Sequence, residues 1–160
     1  MSDPLAPEDR WYNRRAPIPE RLYPAARCAG PPPARLLEGI AQFNRREFFE
    51  CHETLEAEWN AEPGPIRTLY KGILQVGVGC YHLLRGNYRG AVLKLQSGCE
   101  YLGPFVPRCM GVEVGTLIAQ AQRLRAAIVA LGPERVAEVD LALLPHVEVS
   151  TSSSDIPTGD

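Results

Sequence analysis

Apolar residues recur at helical spacing from Arg35 to Leu144, and no segment alternates convincingly with the period of two that marks a half-buried strand. The interruptions are short and rich in Gly, Pro and Asn, which is typical of helix ends. We therefore expect an all-α, single-domain, irregular multihelical bundle. The pattern predicts four main helices and a short fifth piece that packs its Val and Leu residues back on them, at about 36–59, 66–85, 88–102, 114–131 and 134–144.

The second predicted helix carries apolar residues on almost every side, which is typical of a central, buried helix. Polar side chains form one line along it, made by Lys71, Gln75 and His82. This line supplies candidate partners for polar groups on the neighbouring helices.

The first predicted helix contains FFECHETLEAEW, from Phe48 to Trp59, which places one histidine and four glutamates in an otherwise core-like segment. At 100° per residue, His52 falls inside the apolar arc of this helix and Glu56 lies beside it. We expect these two side chains to be partly buried, whereas Glu50 and Glu53 fall outside the arc. The residues that form the arc are Phe48, Phe49, Cys51, Leu55 and Trp59.

A short Pro/Gly loop follows the first helix and predicts that the first two helices form an antiparallel pair. In that arrangement His52 and Glu56 lie opposite residues 69–73, with Lys71 and Gln75 within about one turn. Isolated buried charge is costly, so these groups need one another as partners. We therefore expect a buried polar network of His52, Glu56 and Gln75 that orders the core.

We predict no metal ion or other cofactor. In the expected pairing His82 lies roughly 12 Å from His52, which is too far for one mononuclear site. The pattern H-E-x-x-E also lacks the second histidine that makes H-E-x-x-H specific. If a metal were bound, His52 and Glu56 would be its candidate ligands.

The segments FNRREFFECHETLEAEW and GILQVGVGCYHLLRGNYRGA resemble a small all-helical family of unknown function found in bacteria, archaea and plastids. Its hallmark is F-F-E-x-H-E-x-L-E-x-x-W, followed by I-Q-x-A-x-A-x-Y-H and G-N-x-x-G-A, and the resemblance covers 43–102. It implies a compact multihelical fold and no established activity. The polar positions of the family correspond here to Glu50, His52, Glu53, Glu56, Trp59, Gln75, Tyr81, His82 and Asn87.

This chain departs from the family pattern at three positions of the second helix. Lys71 stands where the family has Gln, and a cation opposite Glu56 favours an ion pair over a metal site. Gly77 and Gly79 replace alanines. They allow closer helix packing or leave room for a ligand, and we favour packing. Asn87 is expected to cap the third helix or to shape the turn before it.

Charge and cysteine usage bound the environment of the chain. The formal net charge of −2 gives no overall attraction to nucleic acid or anionic membranes, and no apolar run is long enough to span a bilayer. The chain has five cysteines, no C-x-x-C pair and no recognisable signal peptide, which favours a reducing cytoplasm. Cys51, Cys80 and Cys99 are expected to act as small hydrophobic residues within helices.

Composition divides the chain into three zones: an N-terminal arm at 1–33, a helical domain at 34–144 and a disordered tail at 145–160. The arm is rich in Pro and Arg. Two readings of the arm remain open. Its Arg and aromatic residues, Trp11, Tyr12, Arg14, Arg15 and Tyr23, suit stacking on single-stranded nucleic acid. The arm equally suits packing over the helices.

Our leading hypothesis is a non-catalytic binding or scaffold protein whose His52/Glu56/Gln75 network orders the core and lines a small pocket. Its partner would be a protein or a small ligand. One alternative is a hydrolase-type enzyme, metal-dependent or not, with Glu53 or Glu56 as general base and His52 as acid or metal ligand. A second alternative is nucleic-acid association through the arm, which the net charge of the chain does not support.

Overall fold

Helices account for most of residues 25–150, the part of the chain that the computed structural model describes. In this range the α-helices are α1 (Ala25–Ala29), α2 (Ala34–Asn44), α3 (Phe48–Ala61), α4 (Arg67–Leu84), α5 (Tyr88–Leu102) and α6 (Val114–Leu131). Short 3₁₀ turns lie at Gly103–Phe105, Val136–Glu138 and Leu141–Leu143, and a small antiparallel sheet joins β1 (Arg108–Cys109) to β2 (Val112–Glu113). The predicted all-α class is confirmed.

The prediction of one helix at 36–59 is wrong, because the chain turns between α2 and α3. Arg46 adopts φ 66°, in the left-handed region, and ends the helical path. In one continuous helix Phe43 and Phe48 would point about 140° apart. The turn instead brings their rings together edge to face, with centroids 5.3 Å apart, and both rings are buried. Residues 25–150 therefore contain five long helices rather than the four predicted.

Each of the five long helices packs antiparallel to the next one along the chain. The predicted limits of the last three helices agree with α4, α5 and α6 to within one residue. In each pair, residues later in one helix contact residues earlier in the other, so the two helices run in opposite directions. Such contacts are Arg35–Glu58 and Phe43–Phe48 for α2 and α3, Trp59–Lys71 and Phe49–Tyr81 for α3 and α4, Gln75–Ser97 and His82–Asn87 for α4 and α5, and Arg125–Val92 and Cys99–Ile118 for α5 and α6.

Helix α4 occupies the centre, as predicted, and all of its residues from 68 to 77 are buried. It approaches α5 closely through Gly79, where an added Cβ would lie 2.9 Å from Leu95 Cγ and 3.1 Å from Leu95 N. The packing explanation of Gly79 is thereby confirmed. An added Cβ at Gly77 would instead make an ordinary contact of 3.5 Å with the Phe43 ring.

The segment after α6 packs back on the helices, as predicted for the short fifth piece: Val136, Val139 and Leu144 are buried. The expected disorder from residue 145 is wrong for 145–150. Both backbone polar groups of Val147 bond the side-chain amide of Asn44, at 2.8 and 2.9 Å. The three-zone division of the chain otherwise remains a prediction, and residues 1–24 and 151–160 lie outside the described range.

The region between α5 and α6 departs from the expectation that strands are absent, since β1 and β2 form a two-residue hairpin. Cys109 of β1 forms a disulfide bond with Cys28 of α1, 81 residues earlier. No sequence spacing pointed to this bridge, and the expected cytoplasmic localisation remains a prediction. The other three cysteines are free thiols, as expected. None of the helices within 25–150 combines the length and hydrophobicity that a bilayer crossing needs.

Candidate functional site

The polar line of α4 lies between α3 and α5 and contacts both, and the three helices together present a face in which Trp59, Lys71 and Gln75 are buried. Trp59 lies beside Lys71 at one end of α3, and Phe49 lies beside Tyr81 ten residues away at the other end. Residues 49, 52, 56 and 59 follow one another at steps of three and four, so they share one side of α3. We call this surface the α4 face; it comprises Phe49, His52, Glu56 and Trp59 of α3, Lys71, Gln75, Val78, Tyr81 and His82 of α4, and Lys94 and Ser97 of α5.

His52 and Glu56 are partly buried, as expected, but they lie at the surface of α3 rather than in the core. Their side chains are 38% and 44% exposed, and His52 Nδ1 lies 4.0 Å from Glu56 Oε1 in an i,i+4 ion pair on the surface of α3. Phe49, also expected in the buried arc, is 54% exposed. The remainder of the arc is buried as predicted: Phe48, Cys51, Leu55 and Trp59.

The predicted pairing of the first two helices, with Trp59 level with Ile66, is antiparallel, as found. The Trp59 ring lies 4.3 Å from Cζ of Arg67, the residue after Ile66, and 5.0 Å from Lys71 Nζ. Near the other end of α3, Phe48 faces Gly77, at the predicted level, and the Phe49 ring lies beside Tyr81, about one turn beyond it. The contacts therefore include the predicted register and positions up to about one turn beyond it.

Gln75 is only 6% exposed, as its place on the central helix predicts, but its partner differs from the one expected. Ser97 Oγ of α5 donates a hydrogen bond of 2.9 Å to Gln75 Oε1. Gln75 is therefore satisfied from α5, and the predicted network of His52, Glu56 and Gln75 does not form. Sequence reasoning missed Ser97, although the short turn between α4 and α5 brings positions 75 and 97 to the same level.

Lys71 is a buried cation, 8% exposed, at the Trp59 end of the α4 face. Its Nζ lies 5.0 Å from the centre of the Trp59 ring. Arg67 Cζ lies 4.3 Å from the same ring. The indole thus contacts two cations, which its electron-rich face attracts.

The opposite end of the α4 face is aromatic. The rings of Phe49 and Tyr81 lie 6.5 Å apart, and Arg85 Cζ lies 5.5 Å from the Tyr81 ring. Burial, with a smaller contribution from the charge of Lys94, lowers the pKa of His82 below its usual value. His82 is therefore biased toward the neutral imidazole.

Asn87 caps α5, as predicted. Its Oδ1 accepts a hydrogen bond of 2.9 Å from the Gly90 backbone N–H, and its Nδ2 lies 3.3 Å from His82 Nδ1. An added Cβ at Gly90 would lie 2.7 Å from the His82 ring and from Asn87 Nδ2, so the G-N-x-x-G spacing seats His82 against the cap.

Of the candidate residues for the hydrolase hypothesis, His52 and Glu56 lie on one side of α3, whereas Glu53 lies on another. Glu50 and Glu53 are exposed, as predicted. Burial raises the pKa of Cys51 to about 12, so this thiol stays protonated near neutral pH. Within the described part of the chain, no group of three His, Cys, Asp or Glu side chains could hold a metal ion.

Residues 36–93 match the family described as Domain of unknown function (DUF309). Over this segment the chain is similar to DUF309. The uncharacterized protein YpuF of Bacillus subtilis (strain 168) is 38% identical over 61 residues, which span 37% of this chain and 35% of YpuF. No solved structure matches the chain significantly. The predicted resemblance to a family of unknown function is confirmed for this segment.

The DUF309 segment runs from α2 into the first part of α5. It contains the α3 and α4 residues of the α4 face and the Asn87 cap. Lys94 follows it directly, and Ser97 lies four residues beyond its end. Both halves of the disulfide, Cys28 and Cys109, lie outside it.

Proposed function

We propose that this chain is a non-catalytic helical binding protein whose binding surface is the α4 face. The observation that supports this function most directly is the presence of Lys71 and Gln75 within the buried stretch of α4. Burying polar and charged groups costs free energy even when they are paired. A helix whose only task is to fill the core has no need of them, so their presence favours a role in recognition.

The ligand that fits this surface best is a small zwitterion, such as an amino acid or a dipeptide. Glu56 offers a partly exposed carboxylate to an ammonium group, and Lys94 offers an ammonium to a carboxylate. Gln75 and Ser97 add amide and hydroxyl groups between them. Phe49 and Tyr81 supply apolar contact area at one end, in the usual manner of ligand sites that combine apolar walls with a few polar groups.

A thermal-shift screen with free amino acids and dipeptides tests the proposal. We expect at least one compound to raise the Tm of the wild-type protein, because a ligand that binds only the folded state stabilises it. Glu56→Gln should remove that shift. Glu134→Gln, which changes an exposed glutamate after α6, should retain it.

Two results would overturn the proposal. Either no compound in the panel shifts the Tm of the wild-type protein, or the shift persists in both Glu56→Gln and Lys94→Met. Conversion of a stabilising compound into products, lost in His52→Ala, would replace the binding function by the hydrolase alternative.

A further inference from the structure

The two cysteines of the Cys28–Cys109 disulfide bond differ in burial. Cys109 is fully buried, whereas Cys28 is partly buried and lines a cavity of about 790 Å³ that opens to solvent. Cys109 does not line this cavity. A molecule that enters the cavity therefore meets the Cys28 end of the bridge.

We propose that Cys28 is a thiol–disulfide exchange site that takes a small, carboxylate-bearing thiol of the glutathione class. The thiolate of the small molecule attacks Cys28 Sγ and forms a mixed disulfide with it. The bond to Cys109 breaks, and Cys109 leaves as a thiolate that takes up the proton lost by the attacking thiol. A second small thiol then releases Cys28, so two thiols supply the two electrons and become one disulfide.

The cavity has the size and the polar group that such a thiol requires. Ligand sites for small molecules commonly measure about 300–1,000 Å³. Arg108 lies at the cavity wall, and its Nε donates a hydrogen bond of 2.7 Å to Glu113 Oε2. A guanidinium has five N–H donors, so Arg108 can also bind a carboxylate of the incoming thiol.

Other contacts hold α1 in place when the bridge opens, which makes the exchange reversible. The Arg27 guanidinium donates two hydrogen bonds to the Glu62 carboxylate, at 2.9 and 3.2 Å. The Met110 backbone N–H donates to the Cys28 carbonyl oxygen at 2.7 Å. Cys109 therefore remains next to Cys28 and can expel the small thiol.

The remaining thiols are poor competitors for this reaction. Cys51 and Cys80 are buried within the helices, and burial raises the pKa of both thiols. Burial also raises the pKa of the partly buried Cys99 to about 11. Exchange depends on the thiolate and on access to it, so we expect modification at Cys28 alone.

The test uses the full chain in its folded, oxidised form. Reduced glutathione is added, the reaction is quenched with acid, and free thiols are mapped by alkylation and mass spectrometry. We expect Cys28 and Cys109 to become alkylatable together without loss of helical circular dichroism. Arg108→Gln should slow this opening several-fold, whereas Arg123→Gln, an exposed arginine on α6 that does not line the cavity, should not.

The mixed disulfide is trapped by removing the resolving thiol. Cys109→Ser treated with oxidised glutathione should gain one glutathionyl group, at Cys28, and Cys99→Ser should behave as the wild type. The proposal fails if native protein resists glutathione at concentrations that open the bridge in denaturant, or if the adduct lies on another cysteine. If Cys109→Ser does not fold, the Arg108→Gln rate decides alone. The cavity and the α4 face share no residue, so the result of the glutathione test does not decide whether the α4 face binds a zwitterion.

Discussion

The hydroxyl of Ser97 donates a hydrogen bond to the side-chain oxygen of Gln75 across the interface of α4 and α5, at 2.9 Å. This bond satisfies a buried amide in the centre of the helical domain. Both residues also belong to the α4 face that we propose as the binding surface. The same pair therefore contributes to the packing of α4 and to the chemistry of the α4 face.

Removing the Ser97 hydroxyl should destabilise the protein. Ser97→Ala leaves the buried Gln75 oxygen without its donor, and an unsatisfied buried polar group costs about 1–3 kcal/mol. The double variant Ser97→Ala/Gln75→Met removes both partners and should recover most of this loss. Urea unfolding measures both values. Thr116→Ala, at an exposed site on α6, is the control, and an unchanged midpoint for Ser97→Ala would show that the bond is not formed.

Two glycines of α4 should respond in opposite ways to alanine. Gly77→Ala should raise the free energy of unfolding by about 0.5–1 kcal/mol, because the new methyl group makes an ordinary contact with Phe43 and glycine is costly within a helix. Gly79→Ala should lower it, because the methyl group meets the backbone of Leu95 and pushes α5 away. Thermal unfolding separates the two. Equal effects at both positions would contradict the register of α4 and α5.

Most of the helical architecture could be predicted from periodicity, because the Gly, Pro and Asn residues that end α4, α5 and α6 are local signals. The turn between α2 and α3 could not be predicted from periodicity. It contains Arg45, Arg46 and Glu47, none of which is a strong helix breaker. The turn is caused by tertiary packing, because both Phe43 and Phe48 reach the core only if the chain turns. In one continuous helix the two rings would lie on different sides, and this change in the direction of the apolar face was the sequence signal for a turn.

The candidate site was predicted in its residues but not in its arrangement. Helical geometry placed the polar line of α4 beside α3 correctly. It also gave the approximate register, since Trp59 contacts Arg67, the residue after the expected Ile66, as well as Lys71. Ser97 and the Cys28–Cys109 bridge depend on contacts between residues distant in sequence, which a helical pattern does not contain.

His52 and Glu56 should contribute little to stability. Exposed ion pairs are screened by solvent and typically contribute between zero and about 1 kcal/mol. His52→Ala and Glu56→Ala should therefore each change the free energy of unfolding by less than about 1 kcal/mol. Leu55→Ala, in the buried arc of the same helix, should cost about 2–5 kcal/mol. A large loss in either surface variant would restore the idea of a structural network.

The disulfide should stabilise the folded protein by closing a long loop in the unfolded chain. Cys28→Ser or Cys109→Ser should cost about 2–5 kcal/mol under oxidising conditions. In excess reductant each variant and the wild type should differ much less, because the wild type then lacks the bridge as well. Chemical unfolding with and without dithiothreitol measures this difference. Cys99→Ser, a cysteine outside the bridge, should show no such dependence on reductant.

The ion pair between Arg27 and Glu62 should make stability depend on pH in the acid range. Hydrogen bonding to Arg27, and to a lesser extent to the Gly64 backbone N–H, lowers the pKa of Glu62 below its usual value of 4.5 despite the opposing effect of burial. The unfolded chain therefore binds this proton at higher pH than the folded chain. The stabilisation is fully present above pH 4.5 and is lost as pH falls through the folded-state pKa.

Arg27→Gln should remove most of this acid dependence. The guanidinium is the main cause of the low pKa, and the Glu62 side chain is only 11% exposed, so solvent screens the pair incompletely. Urea unfolding between pH 3 and 6 should show a shallower decline of stability in Arg27→Gln than in the wild type. Arg135→Gln breaks an exposed i,i+3 pair with Glu138 and should leave the slope nearly unchanged. Parallel slopes for wild type and Arg27→Gln would mean that α1 is not held against the end of α3.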